Sequence, residues 1–472
     1  MKLYIILVAL YLIASVYCDN LWNVDDRALG EAEEEAAKHQ IIVYDKSMDK
    51  EEIDALKEKH EKECECKVDH LESVGAFVLT YDSANHKKIS DLELDDTKEV
   101  GEEDSVAHMT GLMSRASSPT DPKFSQQWAL QDLSNNADIN IAEGWAEYLS
   151  DAKGKDPNGP SIVVAVIDTG IDYTHPDLKD QMWTNPGEIA GNGKDDDGNG
   201  IIDDVYGADF TQTTSGTGDP IDRNSHGTHC AGIIAAKENN GQGIAGVASF
   251  TQGKVKLMAL KGLSDRGSGS TSGLLACLNY AIAKGAKISS NSWGGGSVHP
   301  STERIWDAVL QNNPDHLFVA AAGNDNQEIT ATHKIMSCGL KEANQLCVAS
   351  STSGDSRSGF SNYGKDYVHV VAPGSSIMST IPGGKYASYS GTSMACPQVS
   401  GFAALIRTMR PDLNGQQVRA VIESNVRVKS EYANLVSSSG LIDVGKTLKA
   451  LKSGSGKLKN FLRKCLVLNL GL

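Results

Sequence analysis

The sequence predicts an α/β protein, a mostly parallel sheet flanked by helices, preceded by a small α+β unit. Two observations carry that prediction. Continuously apolar, β-branched runs, led by SIVVAVID at 161–168, alternate with helical patterns through most of the chain, as strands buried on both faces do. Before residue 110 the texture differs, being acidic and lysine-containing, with length enough for a compact unit of its own. A total of 472 residues suits one large domain with appendages. Forty-six glycines against 13 prolines indicate a loop-rich globular chain, neither collagen-like nor disordered.

The elements follow in order. Residues 1–18 join Lys2 to an apolar stretch ending at Cys18, before Asp19-Asn20. That pattern reads as a secretory signal peptide, too short for a comfortable membrane span. The chain is therefore expected outside the cell or in a secretory or digestive compartment, where disulfides are permitted. Residues 19–110 read as strand (40–44), helix (50–63), strand (75–81), then helix or loop and a polar stretch. Residues 111–121, GLMSRASSPTD, form a breaker-rich linker. Residues 122–452 hold the main domain, with strands at 161–168, 255–259, 287–290, 317–321, 346–350 and 368–371. Helices are expected at 226–237, 272–285, 302–311 and 392–409. Reactive groups in such sheets gather at the carboxyl ends of the strands. Residues 453–472 form a basic, apolar tail after a Gly/Ser linker, either frayed or touching a membrane surface.

With 44 Lys+Arg against 61 Asp+Glu, the formal charge is −17. That balance argues against nucleic acid as a partner and agrees with hard cations such as calcium. Three motifs then carry candidate chemistry. In VIDTGIDYTHPDL (166–178), Asp168 ends a buried strand where the chain turns at Gly170; such an Asp is either structural or catalytic. In NSHGTHCAG (224–232), His226 opens a helix of small residues. An imidazole there is a proton acceptor or a structural group; a zinc site with His229 is disfavoured because no HExxH-type glutamate accompanies them. In YSGTSMACPQVSG (389–401), Ser393 stands at a helix start, either as a cap or as a nucleophile facing backbone N–H groups. Neither a G-x-S-x-G elbow nor an S-x-x-K pair surrounds it.

The order Asp, His, Ser, with VIDTGID, HGTHCAG and GTSMACP, resembles the signatures of the subtilisin-like serine proteases over about residues 121–451, nearest the thermitase and proteinase K side. The resemblance implies a subtilisin-like fold in which Ser393 is the nucleophile, His226 the general base and then acid, and Asp168 the group that orients His226. It also implies that Asn324, in AAAGND, supplies an amide to the oxyanion hole beside the Ser393 backbone N–H. The substrate groove would lie between SNSWGGG (290–296), with Ser292, Trp293 and Gly294, and RGSG (266–269), with Gly267 and Gly269. An extended peptide would add there as a strand. Trp293 is bulkier than is usual at its position, which leaves the pocket's preference open. Asp325 is placed near the pocket mouth, favouring a basic or polar side chain, or is simply solvated.

Two calcium sites are expected. The loop GNGKDDDGNGIIDD (191–204) contains D-x-D-x-N-G, with Asp195, Asp197 and Asn199 as ligands and Asp204 (or Asp203) closing the shell; a solvated acidic loop is the alternative. The second site follows the family: Asp121, Asp177 and Asn240, with the backbone carbonyls of Lys237, Gln242 and Ile244. Cys338 and Cys347 flank a polar loop and suit a local disulfide in an exported chain. Cys230 and Cys396 either pair or stay buried thiols. Residues 100–109 resemble the end of a subtilisin propeptide, with self-cleavage expected near 109–110. The expected whole is a secreted, calcium-stabilised, monomeric serine endopeptidase made as a self-processing zymogen, with protein or peptide substrates and its own propeptide as inhibitor. An inactive peptide-binding relative and a lipase or esterase are the competing readings. The intact catalytic set opposes the first, the missing elbow the second.

Overall fold

In this computed structural model the described residues are 39–44, 50, 54–55, 57–59, 67–71, 76–80, 99–103, 118–131, 135–151, 161–294 and 300–452. The expected signal peptide, the C-terminal tail, the proposed self-cleavage point, most of the linker and Gly295–Gly296 of the groove motif lie outside them. The chain divides into two units, Met1–Ser114 and Arg115–Leu472.

The first unit holds four strands: β1 (His39–Tyr44), β2 (Lys67–Leu71), β3 (Ala76–Thr80) and β4 (Glu99–Glu103). They pair antiparallel in the order β2-β3-β1-β4. The apolar stretches expected as strands are β1 and β3. KVDHL and EVGEE are too polar to announce β2 and β4 by hydrophobicity. Residues 50, 54–55 and 57–59, within the expected helix, are helical.

The second unit is built on nine strands: β5 (Ile162–Asp168), β6 (Gly207–Asp209), β7 (Val255–Lys261), β8 (Ile288–Asn291), β9 (Leu317–Ala321), β10 (Gln345–Ser351), β11 (Val370–Pro373), β14 (Arg427–Val428) and β15 (Gly440–Leu441). Their order is β14-β15-β11-β10-β9-β8-β5-β7-β6, parallel except for the β14–β15 pair. β12 (Ile377–Ile381) and β13 (Lys385–Tyr389) form a separate hairpin. The helices are α1 (Ile141–Leu149), α2 (His226–Ala235), α3 (Thr271–Ala283), α4 (Pro300–Asn312), α5 (Thr392–Met409), α6 (Gly415–Ser424) and α7 (Val444–Lys452). This is an α/β subtilisin fold.

β5 explains why the sequence pattern was continuous rather than alternating. Val164 and Val166 enter one hydrophobic cluster with residues of α1, α2, α5, α6 and α7. Val163, Ala165 and Ile167 enter the opposite cluster, with α3 and α4. Both faces are covered, so every position is apolar. Several elements escaped the sequence reading for physical reasons, among them the very short strands β6, β14 and β15. α1, α6 and α7 are short, although Asn414 and Gln417 form a capping box at the start of α6. The β12–β13 hairpin is half exposed, and β13 carries mixed polarity.

The topology also sets the place of chemistry. From β5 the chain moves outward to β6 and β7 on one side, then crosses back to β8 on the other. The carboxyl ends of β5 and β8 therefore flank a switch point, where such sheets bind ligands.

Candidate active site

Asp168, the last residue of β5, is fully buried. Its Oδ1 accepts the Thr169 N–H at 2.7 Å and a hydrogen bond from His226 Nδ1 at 2.8 Å. A carboxylate only accepts, so Nδ1 carries the hydrogen and the neutral ring keeps its lone pair on Nε2. His226 opens α2, and its side chain remains 29% exposed. Close approach of the two elements depends on Gly227. A Cβ there would lie 2.1 Å from the Gly170 carbonyl oxygen. Burial works to lower the His226 pKa; the charge and hydrogen bond of Asp168, with the charge of Asp222, outweigh it and leave the pKa above the ordinary 6.5.

Ser393 is the second residue of α5. Its hydroxyl donates to the Ser292 carbonyl at 3.1 Å. Among the described residues no hydrogen bond joins it to His226, which differs from the arrangement the motif implies. Pro397 lies four residues on and has no N–H, so the Ser393 carbonyl is left without a helical partner. It accepts instead from Ser292 Oγ at 2.9 Å and Cys230 Sγ at 3.4 Å. The Cys230 sulfur, a ring nitrogen of His226 and a carboxylate oxygen of Asp168 lie within 4.8 Å of one another. The helix start bearing Ser393 is thereby fastened beside the Asp168–His226 pair. Burial pushes the Cys230 thiol up, and the Cys396 thiol up to about 11. Both stay protonated and unsuited to nucleophilic attack.

Asn324 follows β9. Its Oδ1 accepts the Thr392 N–H at 2.8 Å and the Thr392 hydroxyl at 3.0 Å, which turns Nδ2 the other way. A Cβ placed on Gly391 would lie 3.5 Å from that Nδ2 and 3.6 Å from the Ser393 backbone nitrogen. The Asn324 amide nitrogen and the Ser393 backbone nitrogen thus lie on either side of one position next to Gly391.

A family model described as "Subtilase family" matches residues 159–445, more than half of the chain. The chain belongs to the subtilase family. Among its relatives are "Subtilisin-like protease 1" of Plasmodium berghei, 33% identical over 319 residues covering 64% of this chain and 51% of that one. Another is "Thermitase" of Thermoactinomyces vulgaris, 35% identical over 307 residues covering 65% and 90% respectively. A solved protease of Pseudoalteromonas arctica PAMC 21717 aligns with TM-score 0.55 and 25% identity, over 71% of this chain and 99% of that one. The subtilase spans about half the length of the Plasmodium relatives it matches.

Around the groove of this subtilase, Ser292 makes the contacts already described. The Trp293 indole is buried against Trp306 and Phe318, in the cluster under α3 and α4, as alternation past β8 dictates. A Cβ on Gly294 would sit 3.0 Å from the Met336 carbonyl oxygen, and one on Gly269 only 2.0 Å from that of Gly262. Gly267, at φ +78°, lies in a turn that Asn224 Nδ2 ties down through the Asp265 carbonyl at 2.8 Å. Asp325 is exposed; Asn362 accepts its N–H at 3.0 Å.

In the acidic loop Asp195 accepts the N–H groups of Asn199 (3.1 Å) and Gly200 (2.8 Å), closing the turn. The carboxylates that converge, within 4.8 Å, are Asp197, Asp204 and Glu188. Glu188 was missed because it lies before the motif, and its Oε2 is buried without a partner. Asn199 Nδ2 and the Tyr280 hydroxyl donate to Asp204 at 2.7 and 2.5 Å. Lys284 pairs with Asp197 and stands 4.0 Å from Asp204. Burial works to raise the Asp197 pKa, but hydrogen bonds from Lys284 and Asn185 hold it below the usual range.

At the other expected cation site, Asn240 Nδ2 donates to Asp177 Oδ1 at 2.9 Å, and Ile244 N–H to Asp177 Oδ2 at 3.1 Å. Asp121 accepts the N–H groups of Asn239 (2.8 Å) and Asn240 (3.3 Å). Burial raises the Asp121 pKa, with a further push from the charge of Asp177. Asp121, Asp177 and Asn240 are thus brought together. Lys237 donates its N–H to the Asp177 carbonyl at 3.0 Å. Gln242 donates its own N–H to Asn240 Oδ1 at 2.7 Å. The sulfurs of Cys338 and Cys347 lie at bonding distance, with Cα atoms 5.3 Å apart. Among the described residues no helix is long and apolar enough to cross a membrane.

Proposed function

We propose that the chain is a serine endopeptidase acting on protein or peptide substrates. One observation supports this reading above the rest: the Asp168–His226 pair at 2.8 Å stands beside a serine whose backbone N–H, with the Asn324 amide, flanks a vacant point. For attack, the Ser393 hydroxyl leaves the Ser292 carbonyl by a change of side-chain rotamer and turns to His226 Nε2. His226 takes the hydroxyl proton as the Ser393 oxygen bonds to the scissile carbonyl carbon. The resulting oxyanion is received by Asn324 Nδ2 and the Ser393 N–H. His226 then gives the proton to the leaving amine, and water repeats the sequence on the acyl-enzyme. Asp168 holds the ring through Nδ1–H and stabilises the imidazolium.

Calcium fits both oxygen-rich loops by donor chemistry. Glu188, Asp197 and Asp204 would hold one ion, and Asp121 with Asp177 and Asn240 another. Bound calcium would supply a fixed charge that ties loops down, with no part in bond breaking. The remaining elements of the reading are secretion, a Cys338–Cys347 disulfide, a monomeric state and inhibition by residues 19–110 until self-cleavage. They are supported by the leader, the cysteine spacing and the separate first unit. The test is hydrolysis of casein with and without a serine-directed sulfonyl reagent. We expect blocked activity and, in Ser393→Ala, accumulation of the unprocessed chain. Casein left intact while short-chain esters are cleaved would point to an esterase, and normal trimming in Ser393→Ala to another protease.

A further inference from the structure

Asp222 is a buried carboxylate to which the triad chemistry gives no task. It lies in the turn that leads into α2, four residues before His226. Its oxygens accept five hydrogen bonds: Oδ1 from the Thr169 hydroxyl (3.0 Å), the Asn224 N–H (2.8 Å) and the Ser225 N–H (3.0 Å), Oδ2 from the Thr228 N–H (2.9 Å) and hydroxyl (2.6 Å). The first turn of a helix has N–H groups with no partner inside the helix, and a side chain at the cap position normally serves them. Ser225, at that position, makes no such bond and sits at φ +113°, a backbone region that serine rarely adopts. Asp222 performs the capping from outside the helix.

The same carboxylate reaches the other half of the catalytic pair. Thr169, which donates to Asp222, directly follows Asp168, and its hydroxyl oxygen accepts the Gly227 N–H at 2.9 Å. Thr228, whose hydroxyl also donates to Asp222, accepts the Asp172 N–H at 2.9 Å. One carboxylate thus binds the turn after β5 to the first turn of α2, the two segments that carry Asp168 and His226.

We infer that Asp222 is a positioning residue of the triad, fixing the start of α2 against the end of β5 and so holding the His226 ring at its distance from Asp168. The inference rests on the peptidase reading above and deepens it. Asp168 acts on the His226 ring from β5, Asp222 from the preceding turn, and His229 and Cys230 stand near it on α2 itself. Burial brings the His229 pKa down to about 4 and pushes the Cys230 thiol up. Near neutral pH the charges that act on the ring are therefore the two carboxylates, and both favour the imidazolium.

The test compares the full chain with Asp222→Asn and Thr228→Val. Asparagine keeps the shape and one acceptor oxygen, but its NH2 cannot accept from Thr228. The expected result is a fall in kcat of about 10²-fold with KM within about twofold, as for a misplaced catalytic group. The acid limb of kcat/KM should move to lower pH, because a negative charge facing His226 is gone. Thr228→Val removes one hydroxyl and leaves the charge, so kcat should fall less and the limb stay in place. The low-field NMR signal of the His226 Nδ1–H should broaden or shift in Asp222→Asn, a readout that needs no turnover. Wild-type kcat, limb and Nδ1–H signal in Asp222→Asn, whatever its melting temperature, overturn the inference while leaving a wild-type peptidase intact. Should Asp222→Asn fail to fold, an unchanged kcat in Thr228→Val overturns it equally. A wild-type chain inert toward casein counts against the peptidase reading alone, since the NMR signal still decides the role of Asp222.

Discussion

Two regions of this molecule gather carboxylates, and they neutralise them in different ways. In the cleft, fully buried Asp168 faces an imidazole, whose charge appears and vanishes around neutral pH. In the acidic loop, Glu188, Asp197 and Asp204 converge against Lys284, which pairs with Asp197. The first arrangement is able to move a proton and therefore to do chemistry. The second supplies a constant field, suited to holding loops in place or accepting a hard cation. A count of acidic residues cannot separate the two; the partner of each carboxylate does.

The contrast predicts a double dissociation. Asn324→Asp, which keeps an oxygen to accept from Thr392 and loses the Nδ2 donor, should lower kcat about 10²–10³-fold, with little change in melting temperature. Thermal unfolding alongside the kinetics checks this, and a large stability loss with intact kcat would merge the two regions. Chelation should do the reverse. Removing an ion present at 100 times its dissociation constant costs about 2.7 kcal/mol, a fall of several degrees in melting temperature. The rate measured well below that temperature should stay within about twofold of the untreated enzyme. An unchanged melting temperature in chelator would remove calcium from the account.

The dependence on pH sharpens the comparison further. His226 has a pKa raised above 6.5 and acts as a base only when neutral, so activity should fall as pH drops through that raised value. Stability runs the other way. A histidine whose folded pKa exceeds its unfolded one stabilises the fold fully below the unfolded value and loses that contribution as pH rises through the folded one. Measured together, kcat/KM and the unfolding free energy should therefore change in opposite senses across this window. The smallest effect is expected at Asp325. Because it is exposed, Asp325→Asn should reduce preference for basic side chains by about 0.2–1 kcal/mol, less than about fivefold. A peptide library reads this directly.

The candidate catalytic residues could be singled out because each is pinned by a local rule. Asp168 ends an apolar run, His226 and Ser393 open helices made of small residues, and Asn324 follows a strand-ending glycine. What was not legible depended on pairings across the chain. Glu188 and Lys284 complete the acidic loop from opposite sides of its motif. Trp293 was placed by motif position, and its packing against Trp306 and Phe318 depends on partners distant in the chain. Asp222 carried a signal that passed unread, an acid shortly before a helix whose own cap serine is unused. The hydroxyl of Ser393 resting on the Ser292 carbonyl is a rotamer, and no sequence pattern encodes that.

The central claim is that His226 and Asp168 make the Ser393 oxygen a nucleophile. A fluorophosphonate reagent, followed by peptide mapping in a mass spectrometer, tests it most directly. The account predicts one adduct per chain, on Ser393, formed more slowly below the His226 pKa and lost in His226→Ala. Labelling at another serine, or at Ser393 with equal rate in His226→Ala, would contradict it.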